Sequence, residues 1–228
     1  MRILGIETST PVVSVAVCEE QQVLGEASFN TRQAHMERLL PMIDYVLKGC
    51  GMTIGDVDAF AVSVGPGSFT SLRVGLATGK AFAHALVKPL AGVPTLDALA
   101  WGLRGISGLI CTVLEARRDE VYACFYVSTD DGMRRLSDYM AINPLKLAGR
   151  LQDNLTARVT FTGEGAQTYW DIFREKLGER AVLAEPAQLW PRAAMVAKLG
   201  CRDLLANGGK HPGAVGALYV KSPAIRQK

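Results

Sequence analysis

The chain has 228 residues, 49% hydrophobic and 21% charged, which is the composition of a folded globular protein and excludes disordered or collagen-like chains. No apolar run reaches the roughly 18 residues of a membrane span, Glu7 interrupts any signal-peptide core, and five cysteines without a C-x-x-C pair fit a reducing compartment. The expectation is a cytoplasmic protein with no membrane contact.

Net charge is +3 and unevenly spread: residues 1–98 hold seven Lys/Arg against nine Asp/Glu, and the remainder eighteen against thirteen. A basic second half could face a polyanion, but no dense Lys/Arg tract with interleaved aromatics occurs, and a solvated mixed-charge surface accounts for it better.

In chain order, Arg2–Glu7 and Val12–Cys18 alternate as strands, and Gln22–Phe29 continues them more weakly. Thr8-Ser9-Thr10-Pro11 makes the first turn, with proline where a strand interior would reject it. Met36, Leu39, Leu40, Ile43, Leu47 and Cys50 keep a helical period closed by Gly49 and Gly51, and Pro41 within it predicts a kink or local break. Ala59–Val64 is a buried strand running through Gly65-Pro66-Gly67-Ser68 into a helix over Phe69–Leu86. Pro89–Val93 is a further strand, after which Thr95 caps a helix to about Leu103. Three strands, helix, strand, helix, strand is the order of a ribonuclease-H-like α/β lobe.

The second half opens in the same way. Thr112–Glu115, a turn and Val121–Val127 parallel Ile3–Glu7, a turn and Val13–Val17; in both, an apolar strand ends in a carboxylate and returns as an alternating strand. A third strand at Leu136–Ile142 and helices at Pro144–Leu151 and Gln167–Lys176 continue the parallel, although two ordinary hairpins would also give this pattern. A true repeat means two lobes, 1–98 and 99–228, each with an acid-tipped hairpin; the segment about 205–228 is expected to pack back on the first.

Two readings attach to Gly65, Gly67 and Ser68. A glycine-rich turn before a helix can offer free amides to an anion, but the P-loop spacing is missing, and a tight turn with Ser68 or Thr70 as helix cap is favoured. Glu7 and Glu115 could hold Mg²⁺ or a water, or each is a strand-end carboxylate bonded to backbone amides. His35, His84 and His211 are isolated, with no zinc spacing, and neither a G-x-S-x-G elbow nor a Cys beside a base is present. As an autonomous enzyme the sequence is underequipped.

At 100° per residue, Arg73, Lys80 and His84 share a narrow stripe of the long helix, and nearly everything else is apolar or small. That arc is about twice the roughly 100° needed to rest on a sheet. Gly75 and Gly79, at small-x-x-x-small spacing, would let another backbone approach. A helix sandwiched within its own lobe is one reading; a protein interface carrying Val74, Thr78, Phe82 and Ala85 is the preferred one.

Ile-Glu-Thr-Ser-Thr at 6–10, Gly-Pro-Gly-Ser-Phe-Thr-Ser-Leu-Arg-Val-Gly at 65–75, Glu-Ala-Arg-Arg-Asp-Glu-Val-Tyr at 115–122 and Leu-Tyr-Val-Lys at 218–221 resemble the bacterial TsaB (YeaZ) family over essentially the whole chain. The resemblance implies an actin-like (ASKHA) α/β fold of two ribonuclease-H-like lobes. It implies a role in making threonylcarbamoyladenosine beside the anticodon of tRNAs that read codons beginning with A. In that system TsaD is the catalytic subunit, the TsaB-type chain its non-catalytic partner, and the ATPase TsaE joins them. It further implies a homodimer in isolation, tRNA reached only through the complex, no cofactor of its own, and a nucleotide at the partner interface. The interface it implies lies on helices at about Gln33–Gly49 and Thr70–Leu86, with Leu40, Ile43, Leu47, Ser71, Val74, Gly75, Thr78, Gly79 and Phe82.

Val93-Pro94-Thr95-Leu96-Asp97 stands where TsaD relatives carry paired metal-binding histidines, and His35 has no second histidine to join it. The family usually has Asp where Glu115 stands, so that acid's role does not carry over. The alternatives are an ATPase or phosphotransferase using Glu7 and Glu115, a metallopeptidase, and a general RNA-binding module.

Overall fold

The computed structural model describes residues 1–20, 22–30, 35–117, 119–154, 157–209 and 211–220. Gln33, Arg118 and Lys221, and the side chains of His35 and Met36, named above, lie outside the described residues. The chain forms two compact units, Met1–Ala98 with Pro191–Ala217, and Leu99–Trp190 with the described residues after Ala217.

In the first unit, β1 (Arg2–Glu7), β2 (Val12–Glu19), β3 (Gln22–Asn30), α1 (His35–Gly49), β4 (Ala59–Gly65), α2 (Phe69–Ala85), β5 (Leu90–Pro94) and α3 (Thr95–Trp101) follow one another. The sheet order is β3-β2-β1-β4-β5. The first three strands are antiparallel; β1/β4 and β4/β5 are parallel. This is the expected lobe. β1, β2 and β4 are buried along nearly their whole lengths, as strands covered on both faces must be, whereas β3 at the sheet edge is partly exposed. Pro41 does not break α1, which runs through it as one helix.

The second unit holds β6 (Leu109–Glu115), β7 (Val121–Thr129), β8 (Gly132–Arg135), β9 (Met140–Ile142), α4 (Pro144–Asn154), β10 (Val159–Thr162), α5 (Glu164–Thr168), α6 (Trp170–Leu177) and β11 (Ala181–Leu183). Its order is β11-β10-β6-β7-β8, with β9 also paired to β7. β6/β7 are antiparallel, and β6/β10 and β10/β11 parallel. With β6 in the place of β1, the plan of the first unit is repeated, so the paired hairpins are a structural repeat. Its core gathers Val113, Phe161 and Phe173 under α4 and α6, with Phe161 and Phe173 stacked at 4.5 Å.

Two second-half expectations change. The strand expected over Leu136–Ile142 is replaced by β8 and β9, because the Ser137 hydroxyl accepts the Phe125 amide at 3.1 Å and interrupts the ladder between them. The helix expected over Gln167–Lys176 is two pieces joined at Tyr169, whose backbone (φ −105°, ψ 21°) leaves the helical region.

The boundary changes in part: the return to the first unit was expected from about residue 205 and begins at Pro191, and it ends at Ala217, with the described residues after it in the second unit. The reason is α7 (Ala193–Asn207), which lies across β1, β2, β4 and β5 on the face opposite α1 and α2. That face is paved with small residues, Gly5, Ala16, Ala59, Ala61 and Ala91, met by Ala193, Ala194, Ala197 and Gly200. A Cβ on Gly5 would stand 2.3 Å from the Ala193 carbonyl oxygen, and one on Gly200 2.4 Å from the Ala61 Cβ. Helix and sheet backbones approach closely because neither side carries bulk, and close approach is where dispersion contacts accumulate.

The carboxyl end of α2 closes with the Lys88 amide on the Ala83 carbonyl and the Val87 amide on the His84 carbonyl. This is a Schellman arrangement with valine where glycine is usual. Val87 sits at φ +53° and is 92% exposed, so nothing packs to offset a left-handed β-branched residue. Strain of about 1–2 kcal/mol, less about 0.5–1 kcal/mol for glycine's greater unfolded-state freedom, predicts that Val87→Gly raises stability by ~1 kcal/mol in urea melts. An unchanged or lowered midpoint counts against this strain.

Candidate functional site

The turn leaving β1 holds Glu7, Thr8, Ser9 and Thr10, all essentially inaccessible to solvent. Glu7 Oε1 accepts the Ser9 amide at 2.6 Å and the Ser9 hydroxyl at 2.5 Å. The Thr8 amide donates to Ser63 Oγ on β4 at 3.4 Å, and the Thr8 hydroxyl donates to the Ser71 carbonyl at 2.8 Å.

The glycine-rich turn closes on this one. Gly65 has φ +109°, a conformation that side chains resist. The Ser68 amide donates to the Ser9 carbonyl at 2.8 Å. A Cβ on Gly67 would stand 2.4 Å from that oxygen, and a Cβ on Gly75 2.3 Å from Thr8 Oγ1. The segments at 6–10 and 65–75 are thus two halves of one interlocked structure at the carboxyl ends of β1 and β4.

Glu7, Gly65, Gly67 and Ser68 therefore come together, and the Ser68 amide that an anion cradle would offer is already bonded. Ser68 occupies the N-cap position of α2 without a side-chain capping bond; its hydroxyl meets Ser71 Oγ at 3.0 Å. Thr95, expected to cap α3, is the first residue of that helix, and its buried hydroxyl has no partner among the described residues.

Burial pushes the Glu7 carboxyl up to about 7 against the opposing pull of its bonds from Ser9 and of the Ser63 hydroxyl close by, and Oε2 has no hydrogen bond of ordinary length among the described residues. Because the folded value exceeds the ordinary one of 4.5, the stabilising contribution is present in full below about pH 4.5, declines as pH rises, and is gone above about pH 7. At about 1.4 kcal/mol per unit, the wild type should lose up to ~3 kcal/mol more than Glu7→Gln between pH 4.5 and 7.5 in urea melts. Parallel losses in the two proteins would contradict it.

Glu115 ends β6 in the second unit, exposed, accepting the Thr168 hydroxyl at 2.5 Å. Glu7 does not fit a Mg²⁺ ligand: its contacts are donors, and its dry surroundings favour the protonated acid. Among the described residues no three His, Cys, Asp or Glu side chains converge on a common point that could hold a metal. His84 is exposed on α2, and His211 Nδ1 accepts the Gly213 amide at 3.1 Å.

On the helices, the expected interface set divides. Ile43 and Leu47 are buried in the lobe's core, whereas Leu40 is 55% exposed. Gly75 and Gly79 face the lobe's own sheet: a Cβ on Gly79 would stand 2.3 Å from Val62 Cγ1 on β4. The four-residue spacing seats α2 on its own lobe, Gly75 on Thr8 in the turn after β1 and Gly79 on β4, not on a second helix. Phe82 stacks on Phe60 of β4, with centroids 5.9 Å apart and planes at 13°. Ser71, Val74 and Thr78 are half-buried.

The outward faces carry Leu40, Pro41 and Tyr45, the last 70% exposed, on α1, and Arg73, Ala77, Ala81, His84 and Ala85 on α2. The Arg73 guanidinium lies 3.7 Å over the Phe69 ring. Tyr45, Ala77 and Ala81 were missed, yet the polar stripe of Arg73, Lys80 and His84 already marked which side of α2 meets solvent.

A family model described as TsaD, tRNA N6-adenosine threonylcarbamoyltransferase, matches residues 22–220. The Bacillus subtilis tRNA threonylcarbamoyladenosine biosynthesis protein TsaB is 30% identical over 202 residues, 88% of this chain and 87% of its own length. The solved structure of YeaZ from Pseudomonas aeruginosa matches with a TM-score of 0.81 at 26% identity, covering 96% of this chain and 99% of that one. Component A of the (R)-2-hydroxyglutaryl-CoA dehydratase of Acidaminococcus fermentans matches at 0.52 with 10% identity over 90% of this chain and 99% of its own, a likeness of fold alone. With both motifs mated in the first unit and its strand order repeated in the second, the chain belongs to the TsaB (YeaZ) family and has an actin-like α/β fold.

Proposed function

We propose that this chain is the non-catalytic partner of TsaD in the transfer of the threonylcarbamoyl group to the adenosine beside the anticodon of tRNAs reading codons that begin with A. Membership of the TsaB family carries the reading. The interlocking of the two motifs supports it, since the turns that would present chemistry are engaged with each other. The outer faces of α1 and α2, around Leu40, Tyr45 and the exposed alanines, are the docking surface for TsaD and, in its absence, for a second copy. TsaE joins the pair, a nucleotide lodges at the partner interface, and tRNA is reached through the assembly.

Reconstitution tests this. Purified chain should transfer nothing to tRNA without TsaD and should restore transfer with it. Leu40→Arg should fold normally, because Leu40 is exposed, yet bind TsaD at least roughly 30-fold more weakly, the loss of about 2 kcal/mol expected of an unpaired charge in an interface. Robust transfer by the chain alone, or wild-type binding by Leu40→Arg, would refute the respective halves of the reading. The isolated chain should bind tRNA weakly, with an affinity that falls as salt rises.

A further inference from the structure

Glu7 places a carboxyl in the dry interior with one oxygen bonded twice by Ser9 and the other without a hydrogen bond of ordinary length among the described residues. The same short turn is the seat of α2. The Ser9 carbonyl receives the Ser68 amide and the backbone of Gly67, and Thr8 receives Gly75 while donating to the Ser71 carbonyl. A continuous run of contacts therefore joins the acid to the first two turns of the helix.

Among the described residues the surroundings hold no counter-charge for it. Opposite Glu7 on β2 stands Ser14, and its neighbour across β4 is Ser63. α7 brings Ala193 and Ala197 over Gly5, and α2 brings Ser71 and Gly75. The ion pair on the α7 side, Glu26 with Arg192, bonds Ser14 and the Ala194 amide instead. As a neutral acid Glu7 leaves one oxygen without an ordinary hydrogen bond at modest cost. As a carboxylate it leaves a charge there, and the relief available is water admitted by opening the turn.

We propose that Glu7 is a proton-controlled latch on the amino-terminal end of α2: the neutral acid keeps the Thr8–Ser9 turn seated against Gly67, Ser68 and Gly75, and loss of the proton opens that turn and loosens the first turns of the helix. The latch does not depend on which partner α2 meets.

Amide hydrogen exchange at Ser68 and Leu72, corrected for the intrinsic pH dependence of exchange, tests it. Where the free acid titrates near 4.5 and the seated one near 7, protection at these amides should fall roughly 40-fold between pH 5 and 7, at up to about one decade per unit. In Glu7→Gln it should be flat. A flat wild-type profile, or an equal fall in the variant, overturns the latch. Should Glu7→Gln fail to fold, the wild type decides alone. The Ser68 amide resonance should move with the same midpoint as the Glu7 carboxyl carbon, and a Ser68 resonance that stays fixed through that midpoint overturns it.

Discussion

Gly79→Arg is expected to yield no folded protein. Even the first atom of a side chain at this position would lie 2.3 Å from Val62 Cγ1 and 3.5 Å from Leu90 Cδ1, between α2 and its own sheet. Gly79→Ala alone should cost about 1–3 kcal/mol through overpacking. Arginine adds a buried cation without a partner, for about 3–5 kcal/mol more, a sum comparable with the roughly 5–15 kcal/mol that holds a domain folded. Ala81→Arg, two residues along on the exposed side of α2, should stay within about 0.5 kcal/mol of wild type. Circular dichroism and urea melts of the three variants separate the outcomes. A cooperatively folded Gly79→Arg protein would mean that α2 does not sit on β4 as described. Gly79 therefore cannot probe partner binding, because its variants fail before any partner is met; the exposed alanines and Leu40 are the positions for that purpose.

Glu26→Ala should cost ~3 kcal/mol although the residue lies on β3, at the edge of the sheet. Its side chain is only 11% exposed and caps α7 from 168 residues away in sequence. Oε1 accepts the Ala194 amide at 3.0 Å and Oε2 accepts the Arg192 guanidinium, while the Ala193 amide goes to Ser14 Oγ at 3.2 Å. α7 has no side-chain cap of its own. A charge-assisted bond to a buried amide contributes about 1.5–3 kcal/mol, and an anion at a helix amino terminus up to about 2 more. Arg192 is half-exposed, so its ion pair contributes little, and Arg192→Ala should cost less than about 1 kcal/mol. Equal losses in the two variants would assign the effect to the ion pair and not to the cap.

Much of the lobe was legible. β1, β2 and β4 announce themselves by β-branched residues between turn formers, and Gly65 to Ser68 sets the start of α2 to the residue. The order of elements then implies the sheet, since few chain paths accommodate it. α7 escaped because its inward positions are mostly small, Ala193, Ala194, Ala197 and Gly200 beside Val196, Cys201 and Leu204, which blunts its hydrophobic period; much of its stability comes from how near it lies to an equally small-faced sheet. The glycines of α2 were legible as sites of close approach but not as to what approaches, because a missing side chain has no direction until the sheet is in place.

The sequence by itself determined the class of lobe, its repetition and the motifs that mark the family, because these rest on local alternation, turn chemistry and residue order. Only the tertiary structure decided which face of α2 is inward, that the chain returns to the first unit as early as residue 191, and that Glu7 is buried and bonded by Ser9. Each of these depends on distances between segments far apart in the chain, and on exclusion of water once they meet, which no local pattern encodes.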